Sequence, residues 1–456
     1  MAEQSVLMAC DFFFPNVGGV EAHLHQLAQC LALSGHRVTV LTHDYASRFG
    51  VRYLTSGVKV LHVPRVELTR SASYPSLFAL GSLVRNIIIR EHVTVVHAHT
   101  TFSAIALEAV LHAKTIGVPA VFTDHSLFGF ADLTSVLSNK LLRFVLHEAD
   151  HAICVSHTAK ENTVLRSGAN PERVSVIPNA VDTAHFYPST AACASKRERT
   201  VVVVLCRLAE RKGVDMLVSV IPGICRRNKN VDFLVGGSGP REWVLQRAFE
   251  AHGLEGRVKM LGHVTRPREV LDHGDVFLNI SLTESFCMAA LEAAACGLLV
   301  VSTSVGGVPE ILPEDMMLLA EPNPDDVISQ LEGAVEHVQT GMVDKHQFHE
   351  RMKRMYSWED ITRRTERVYA EVVARGADGM VKRLRRLYRT GSWYGKILCC
   401  VAVCDALIMK VLQAVMPERE MDEAPSVVER FANARWTEAT TKSTCIRSAA
   451  HLVNPG

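Results

Sequence analysis

The sequence predicts an α/β protein: two Rossmann-like, doubly wound domains facing a cleft, followed by a C-terminal membrane helix. Three observations carry this expectation. Short apolar strand-like runs alternate with helical stretches from the start of the chain. A second series of the same kind begins after a polar link. Near the end, a basic segment leads into a long apolar one.

The first domain is assigned to residues 1–188. Residues 6–10 read as a strand, and 20–33 as a helix with Leu24, Leu27, Ala28 and Leu31 on one face, stopped by Gly35. Strand-like runs follow at 37–42, 93–97, 118–122, 152–155 and 174–177. Residues 189–199 form the polar link. The second domain, 199–357, carries runs at 201–205, 231–235, 258–261, 276–280 and 298–302. A closing helix is expected at 358–375 and a basic juxtamembrane segment at 376–396, including Lys382-Arg-Leu-Arg-Arg-Leu-Tyr-Arg389. Residues 397–416 are expected to span a membrane, and 417–456 form a polar tail.

Composition narrows the function classes. The 456 residues carry a net charge of +1, which points away from a nucleic-acid-binding surface. The 12 cysteines show no CxxC pair, as expected of free thiols in a reducing compartment. The start, Met1-Ala-Glu-Gln-Ser-Val-Leu-Met, runs into a strand without the basic start and long apolar core of a signal peptide. The bulk of the chain is therefore expected in the cytosol.

The chemistry concentrates in Ser281-Leu-Thr-Glu-Ser-Phe-Cys-Met-Ala-Ala-Leu-Glu292, between a strand and an apolar helix. At about 100° per residue, Glu284 and Glu292 would sit about 80° apart were both helical. Glu284 is therefore placed in the loop and Glu292 in the second turn. Between them lie the free N–H groups of a helix start, an anion site. Hydroxyls on either side of a diphosphate fit two such carboxylates, the pattern of a sugar nucleotide. Taken alone, the pair equally fits a Glu near a helix cap and an exposed helical Glu.

Arg207 and Lys212 follow the first strand of the second domain, where two cations can neutralise a diphosphate. Gly18-Gly19 sit between the first strand and first helix, where backbone can approach a phosphate or simply turn. Gly236-Gly-Ser-Gly239 and Gly306-Gly-Val-Pro-Glu310 repeat that logic at later strand ends. His125, just past a strand, can bond a sugar hydroxyl or serve as a hydrogen-bonded structural residue. His97-Ala-His99 admits a metal reading, but fits a packed strand end better.

These positions together resemble the retaining nucleotide-sugar glycosyltransferases of family 4, with two-domain GT-B architecture. The resemblance is carried by Asp11-Phe-Phe-Phe-Pro-Asn-Val-Gly-Gly-Val-Glu21, Val121-Phe-Thr-Asp-His-Ser-Leu-Phe-Gly-Phe-Ala131, Ile177-Pro-Asn-Ala-Val-Asp182 and Ser281-Leu-Thr-Glu-Ser-Phe-Cys-Met288. It covers about residues 5–416. It implies UDP-GlcNAc as donor and phosphatidylinositol as acceptor, the transfer that opens glycosylphosphatidylinositol (GPI)-anchor synthesis. By that resemblance Arg207 and Lys212 hold the diphosphate, Glu284 the donor sugar, and Glu292 the ribose. The backbone of Ser285, Phe286, Cys287 and Met288 completes the phosphate cradle. Gly18 and Gly19 close over the phosphates, the base packs near Gly262 and Val264, and His125 lines the acceptor side. The catalytic set is thus Glu284, His125, Arg207 and Lys212.

No metal or other cofactor is implied, because Arg and Lys supply the positive charge. The implied setting is the endoplasmic-reticulum membrane, crossed once, with cytosolic catalytic domains and partner subunits of a GPI N-acetylglucosaminyltransferase complex. Two alternatives are a family 4 enzyme with another acceptor and a non-catalytic nucleotide-sugar-binding subunit. One feature departs from a smooth membrane span: Asp405 and Lys410 would each cost about 2.5–3.5 kcal/mol at mid-bilayer.

Overall fold

A computed structural model describes residues 2–16, 18–45, 48–64, 67–69, 72–73, 76–127, 133–189 and 199–424. Most of the polar link and the tail beyond 424 lie outside the described residues, as do Val17 and 128–131 of the quoted strings. The chain forms two compact units. Unit 1 combines Met1–Pro178 with Trp358–Gly456, and unit 2 is Asn179–Ser357. The first boundary falls earlier than the polar link because the segment before the link belongs to unit 2. Val181 sits in that unit's core and donates its N–H to Tyr356 O at 3.3 Å, while Arg268 lies 3.6 Å over the Tyr187 ring.

Unit 1 is built on β1 (Ser5–Ala9), β2 (Arg37–His43), β3 (Gly50–Tyr53), β4 (Lys59–Val63), β7 (Val95–His99), β8 (Ala120–Asp124), β9 (His151–Cys154) and β10 (Val174–Val176). The pair β5 (Glu67–Thr69) and β6 (Ala72–Ser73) stands apart. The sheet order is β10-β9-β8-β7-β1-β2-β4-β3, and only β3 runs antiparallel to its neighbour. Every residue of β1, β7 and β8 is buried, the signature of parallel strands covered on both faces.

The helices are α1 (Gly19–Leu33), α2 (Gly81–Arg90), α3 (Ala104–Ile116), α4 (Leu133–Glu148) and α5 (His157–Ser167). The Ser103 hydroxyl caps α3 by accepting from Ala106 N, and Gly117, at φ 99°, ends it. Residues 104–114 of α3 are all buried, including Glu108, His112 and Lys114. A helix enclosed on every side must find partners for its charged groups. Lys114 contacts both Asp150 oxygens, at 2.8 and 2.7 Å.

Unit 2 holds β11 (Thr200–Leu205), β12 (Val231–Gly236), β13 (Val258–Gly262), β14 (Val276–Asn279), β15 (Leu299–Thr303) and β16 (Met317–Ala320). All are parallel, in the order β13-β12-β11-β14-β15-β16. Its helices are α6 (Val214–Arg227), α7 (Glu242–Ala251), α8 (Pro267–Leu271), α9 (Met288–Ala295), α10 (Pro324–Gln339) and α11 (Lys345–Met355). Strand order reverses beside β1 in unit 1 and beside β11 in unit 2. In sheets of this kind ligands bind past the strand ends at such switch points.

The chain then returns to complete unit 1 with α12 (Trp358–Arg375), α13 (Met380–Tyr388) and α14 (Tyr394–Val415). Helix α12 packs on α1 and β8. The segment expected to flank a membrane packs into unit 1. Arg383 of α13 is 1% exposed and grips Glu148 with Nε–Oε2 at 2.7 Å and Nη2–Oε1 at 3.1 Å. It also donates to Thr115 Oγ1 and Leu111 O.

Helix α14 is long and apolar enough to cross a membrane. Its residue Asp405 is nevertheless buried inside unit 1, bonded to His112 Nδ1 at 2.7 Å and to the Thr115 hydroxyl. This accounts for the carboxylate that interrupts the apolar run. Lys410 is exposed, as are Ile397, Val403, Leu407, Val411 and Val415.

Removing one partner of a buried pair leaves the other charge uncompensated. Arg383→Met should therefore destabilise unit 1 by about 3–5 kcal/mol. The double change Arg383→Met/Glu148→Leu should recover most of that loss. Thermal unfolding of the full-length chain in detergent measures both, and an unchanged midpoint for the single variant would refute the role given to this pair.

Candidate active site

The half-site in unit 2 starts from the ends of β14 and β15. Asn279 Nδ2 donates to Ser302 Oγ at 2.8 Å, and the Thr303 hydroxyl donates to Ser281 O at 2.6 Å. The Ser281 hydroxyl lies 2.9 Å from Asn279 Oδ1 and 3.1 Å from Glu284 Oε1, its single proton serving one at a time. Gly307 N–H donates to Glu284 O at 3.0 Å. These bonds fix Glu284 in the loop before α9. Glu292 lies in the second turn of that helix, and no side chain caps the helix start at Cys287. Ser285 and Cys287 are buried, while Phe286 and Met288 are half-buried.

Lys212 ends a short turn after β11 and forms an ion pair with Glu284. Burial works against its ammonium, but Glu284, and Cys287 beside it, more than offset this and hold its pKa above the ordinary lysine value. The next residue must be glycine. Gly213 has φ 69°, and a Cβ there would lie 1.8 Å from Ile280 O. The Lys212 loop is thereby pressed against the end of β14, which brings Lys212 to Glu284. Arg207 is exposed and has no side-chain partner among the described residues.

Glu292 is half-buried, and burial pushes its carboxyl up to about 7. It accepts no hydrogen bond from the described residues. Such a group is stabilised once hydroxyls are brought to it. At the neighbouring strand ends, Gly237 donates to Gly262 O at 2.7 Å, and a Cβ on Gly236 would meet Val264. The Gly236–Gly239 loop thus packs on the strand ends: a Cβ on Gly237 would sit 1.8 Å from Cys206 O.

In unit 1, Gly18 precedes α1 in an extended conformation, with Gly19 as the first helical residue. A side chain at Gly18 would strike the Glu21 carboxylate. His125 follows β8 and is half-buried. Asp124 anchors its loop, accepting from Ser126 N and the Thr163 hydroxyl, both at 3.0 Å.

Of the two partners that pack on His125, the sequence flagged His99, through the His97-Ala-His99 pair, but not His23. His99 Nδ1 lies 3.3 Å from His125 Nε2, and the His23 ring meets His125 edge-on at 4.9 Å. Ligand atoms of the three lie within 4.8 Å of one another, a geometry able to hold a cation. Burial first, then the neighbouring imidazoles, pushes the pKa of His99 and His125 well below the ordinary histidine value, so both are neutral. His97 does not join them. Its ring nitrogens are taken by the Tyr369 hydroxyl at 2.6 Å and by Thr123 Oγ1 at 2.7 Å, so the His97-Ala-His99 pair does not act as one ligand set. Asp11, also unanticipated, lies two residues past β1 and is fully buried, with the Ser73 hydroxyl donating to its carboxylate.

Two Rossmann-like parallel sheets, one in each unit, are the form of the GT-B fold of glycosyltransferases. Solved structures of that shape agree. Sucrose-phosphate synthase from Thermosynechococcus elongatus superposes with a TM-score of 0.67 at 19% identity, covering 82% of this chain and 100% of that one. Anabaena HepE, solved with UDP, gives 0.63 at 18% identity, covering 81% and 100%. Residues 199–337 match the family described as glycosyl transferases group 1, and residues 43–132 match PIGA (GPI anchor biosynthesis).

The particular relatives are closer. They are subunits of phosphatidylinositol N-acetylglucosaminyltransferase. The one from Arabidopsis thaliana is 50% identical over 424 residues, 92% of this chain and 94% of that protein. The one from Homo sapiens is 45% identical over 424 residues, 92% and 87%. The chain belongs to this PIGA family of phosphatidylinositol N-acetylglucosaminyltransferase subunits.

Burial raises the Glu292 carboxyl to about 7. Were UDP-GlcNAc to bring hydroxyls to it, the charged form would be favoured, a proton would be released on binding, and the affinity should rise as pH rises through about 7. Glu292→Gln should flatten that dependence. Calorimetry in buffers of different ionisation heat reads both the affinity and the proton count; a pH-independent wild type would exclude this role.

Proposed function

We propose that this chain transfers N-acetylglucosamine from UDP-GlcNAc to phosphatidylinositol with retention of anomeric configuration. The observation carrying this reading is the Lys212–Glu284 pair beside uncapped α9, with the unpartnered Glu292 one turn further on. The diphosphate takes up the positive charge of Lys212 and Arg207 together with the N–H groups at the start of α9. Glu284, freed from Lys212, accepts from hydroxyls of the donor sugar, and Glu292 from the ribose. The uracil packs by Gly262 and Val264. Gly18 and Gly19 approach the phosphates, and neutral His125 serves the acceptor.

The inositol hydroxyl attacks the anomeric carbon from the face the phosphate leaves, and a leaving phosphate oxygen takes the hydroxyl proton. No protein nucleophile is needed. Positioning and charge stabilisation supply the acceleration. The reaction proceeds without a metal, because Lys212 and Arg207 offset the charge that builds on the diphosphate. The enzyme works at the endoplasmic-reticulum membrane with its two units on the cytosolic side, within a larger complex. The names of its relatives, which call each of them a subunit, support that last point.

Transfer of labelled GlcNAc from UDP-GlcNAc to lipid, in membranes from cells expressing the chain, tests the reading. Glu284→Gln should cut the rate by about 100-fold or more while the protein stays folded. Near-normal transfer at saturating donor would reject the assignment. His125→Ala should reduce transfer far more than UDP binding; equal losses would move His125 out of the acceptor role.

Activity should survive strong chelators, and added magnesium should not rescue Lys212→Ala. Loss on chelation, restored by a divalent ion, would make the His23–His99–His125 group a working metal site instead.

A further inference from the structure

Unit 1 has a concavity at the edge of its sheet opposite His125. It lies between α13, the starts of β9 and β10, and the C-terminal ends of α4 and α5, and its volume is about 540 Å³. His99 and His125 sit at the opposite ends of these parallel strands.

The lining is strongly basic: Arg173, Lys382, Arg385, Arg386 and Arg389 face a single carboxylate, Asp378. That carboxylate is already engaged by Lys382 at 2.7 Å and Arg386 at 2.6 Å. Arg173, Arg385 and Arg389 have no carboxylate partner among the described residues. Two buried nitrogens in the lining, Arg386 Nε and His151 Nδ1, have no hydrogen-bond partner among the described residues. A concavity with surplus positive charge and an unclaimed guanidinium N–H, that of Arg386 Nε, fits a phosphate.

The other side of α13 supplies a different chemistry. A groove of about 410 Å³ is lined by Val381, Leu384, Tyr388 and Cys399, and it shares Arg385 and Arg389 with the basic pocket. Charge on one side of two arginines and hydrocarbon on the other match a molecule with an anionic head and an apolar chain. The apolar side continues along α14, where Trp393 is 80% exposed with the Lys396 ammonium 5.6 Å from its ring, and Ile397 is exposed. An exposed Trp beside a cation suits the boundary of a bilayer, and a free inorganic anion would leave the groove unexplained.

We propose that the pocket beneath α13 binds the headgroup phosphate of an anionic phospholipid, with its acyl chain over Val381, Leu384 and Tyr388, as a lipid site distinct from that of the acceptor. The bound lipid fixes the α13–α14 face of unit 1 on the membrane. Its role is attachment, so the ligand need not carry inositol.

Full-length protein in neutral detergent can be titrated with phosphatidylserine brominated in its acyl chains, and the quenching of Trp393 followed, with Trp393→Phe as the blank. Brominated phosphatidylcholine is the neutral control. Phosphatidylserine should quench at roughly tenfold lower concentration than phosphatidylcholine, and Arg385→Gln/Arg389→Gln should raise the concentration needed by about tenfold or more. UDP-GlcNAc affinity and the unfolding temperature should not change, because both arginines are exposed and lack a carboxylate partner among the described residues. Equal quenching by the two lipids, or an unaltered double variant, overturns the proposal. So does equilibrium dialysis showing that inorganic phosphate alone binds as tightly as the lipid, which would define a soluble-anion site.

Discussion

Parallel strand pairing is the constraint on which the rest of this protein depends. With all of unit 2 and nearly all of the main unit 1 sheet running one way, every loop that leaves a strand emerges on one edge. Lys212, Gly262 and Glu284 meet that edge in unit 2, and Gly18, His99 and His125 meet it in unit 1. The same pairing buries both faces of the sheet, so helices must cover them. In unit 1 this covering is itself covered. Helix α3 is enclosed by the sheet on one side and by α14 on the other, so its ionisable residues become internal. Asp150 answers Lys114 and Asp405 answers His112, while Arg383 binds Glu148 of α4 and the last turns of α3. A polar lattice thus holds the C-terminal helices to unit 1, where apolar contact alone would leave their register free.

The candidate site in unit 2 shows how opposite charges are held at the strand ends. Lys212 and Glu284 neutralise each other across two loops, and the Ser281–Asn279–Ser302 bonds hold the carboxylate in place. Each of the two charges thus has the other as its partner. Unit 1 uses the opposite device: burial, then the neighbouring imidazoles, holds the pKa of His99 and His125 well below the ordinary histidine value.

Much of this was legible in the sequence, and the failures have physical causes. Apolar runs such as 201–205 and 231–235 announce buried parallel strands, and the glycines after them announce strand ends. The Glu284–Glu292 spacing placed one carboxylate in a loop and the other on a helix, as observed. The edge strand β3 was not legible, because all four of its residues are exposed and it lacks an apolar pattern. Nor was the His23–His99–His125 group, since helix α1 brings His23 from a segment with no motif of its own. Asp405 read as a defect in a membrane span because His112, its partner, is 293 positions away. Arg383 looked like one more cation in a basic run, although its side chain is turned inward.

The interrupted course of unit 1 has a consequence for biogenesis. Its first 178 residues leave the ribosome long before Trp358–Arg375, yet His97 depends on Tyr369, and His36 bonds Glu366 at 3.0 Å. Unit 2, continuous from Asn179 to Ser357, can close as soon as it has emerged. The nascent chain therefore holds its earliest-made portion unfinished, with α1 and β8 lacking their covering helix, while the later-made portion matures. Final closure of the older portion waits for α12, α13 and α14. Helices α12 to α14 thus both complete the earliest-made unit and carry its apolar outer face.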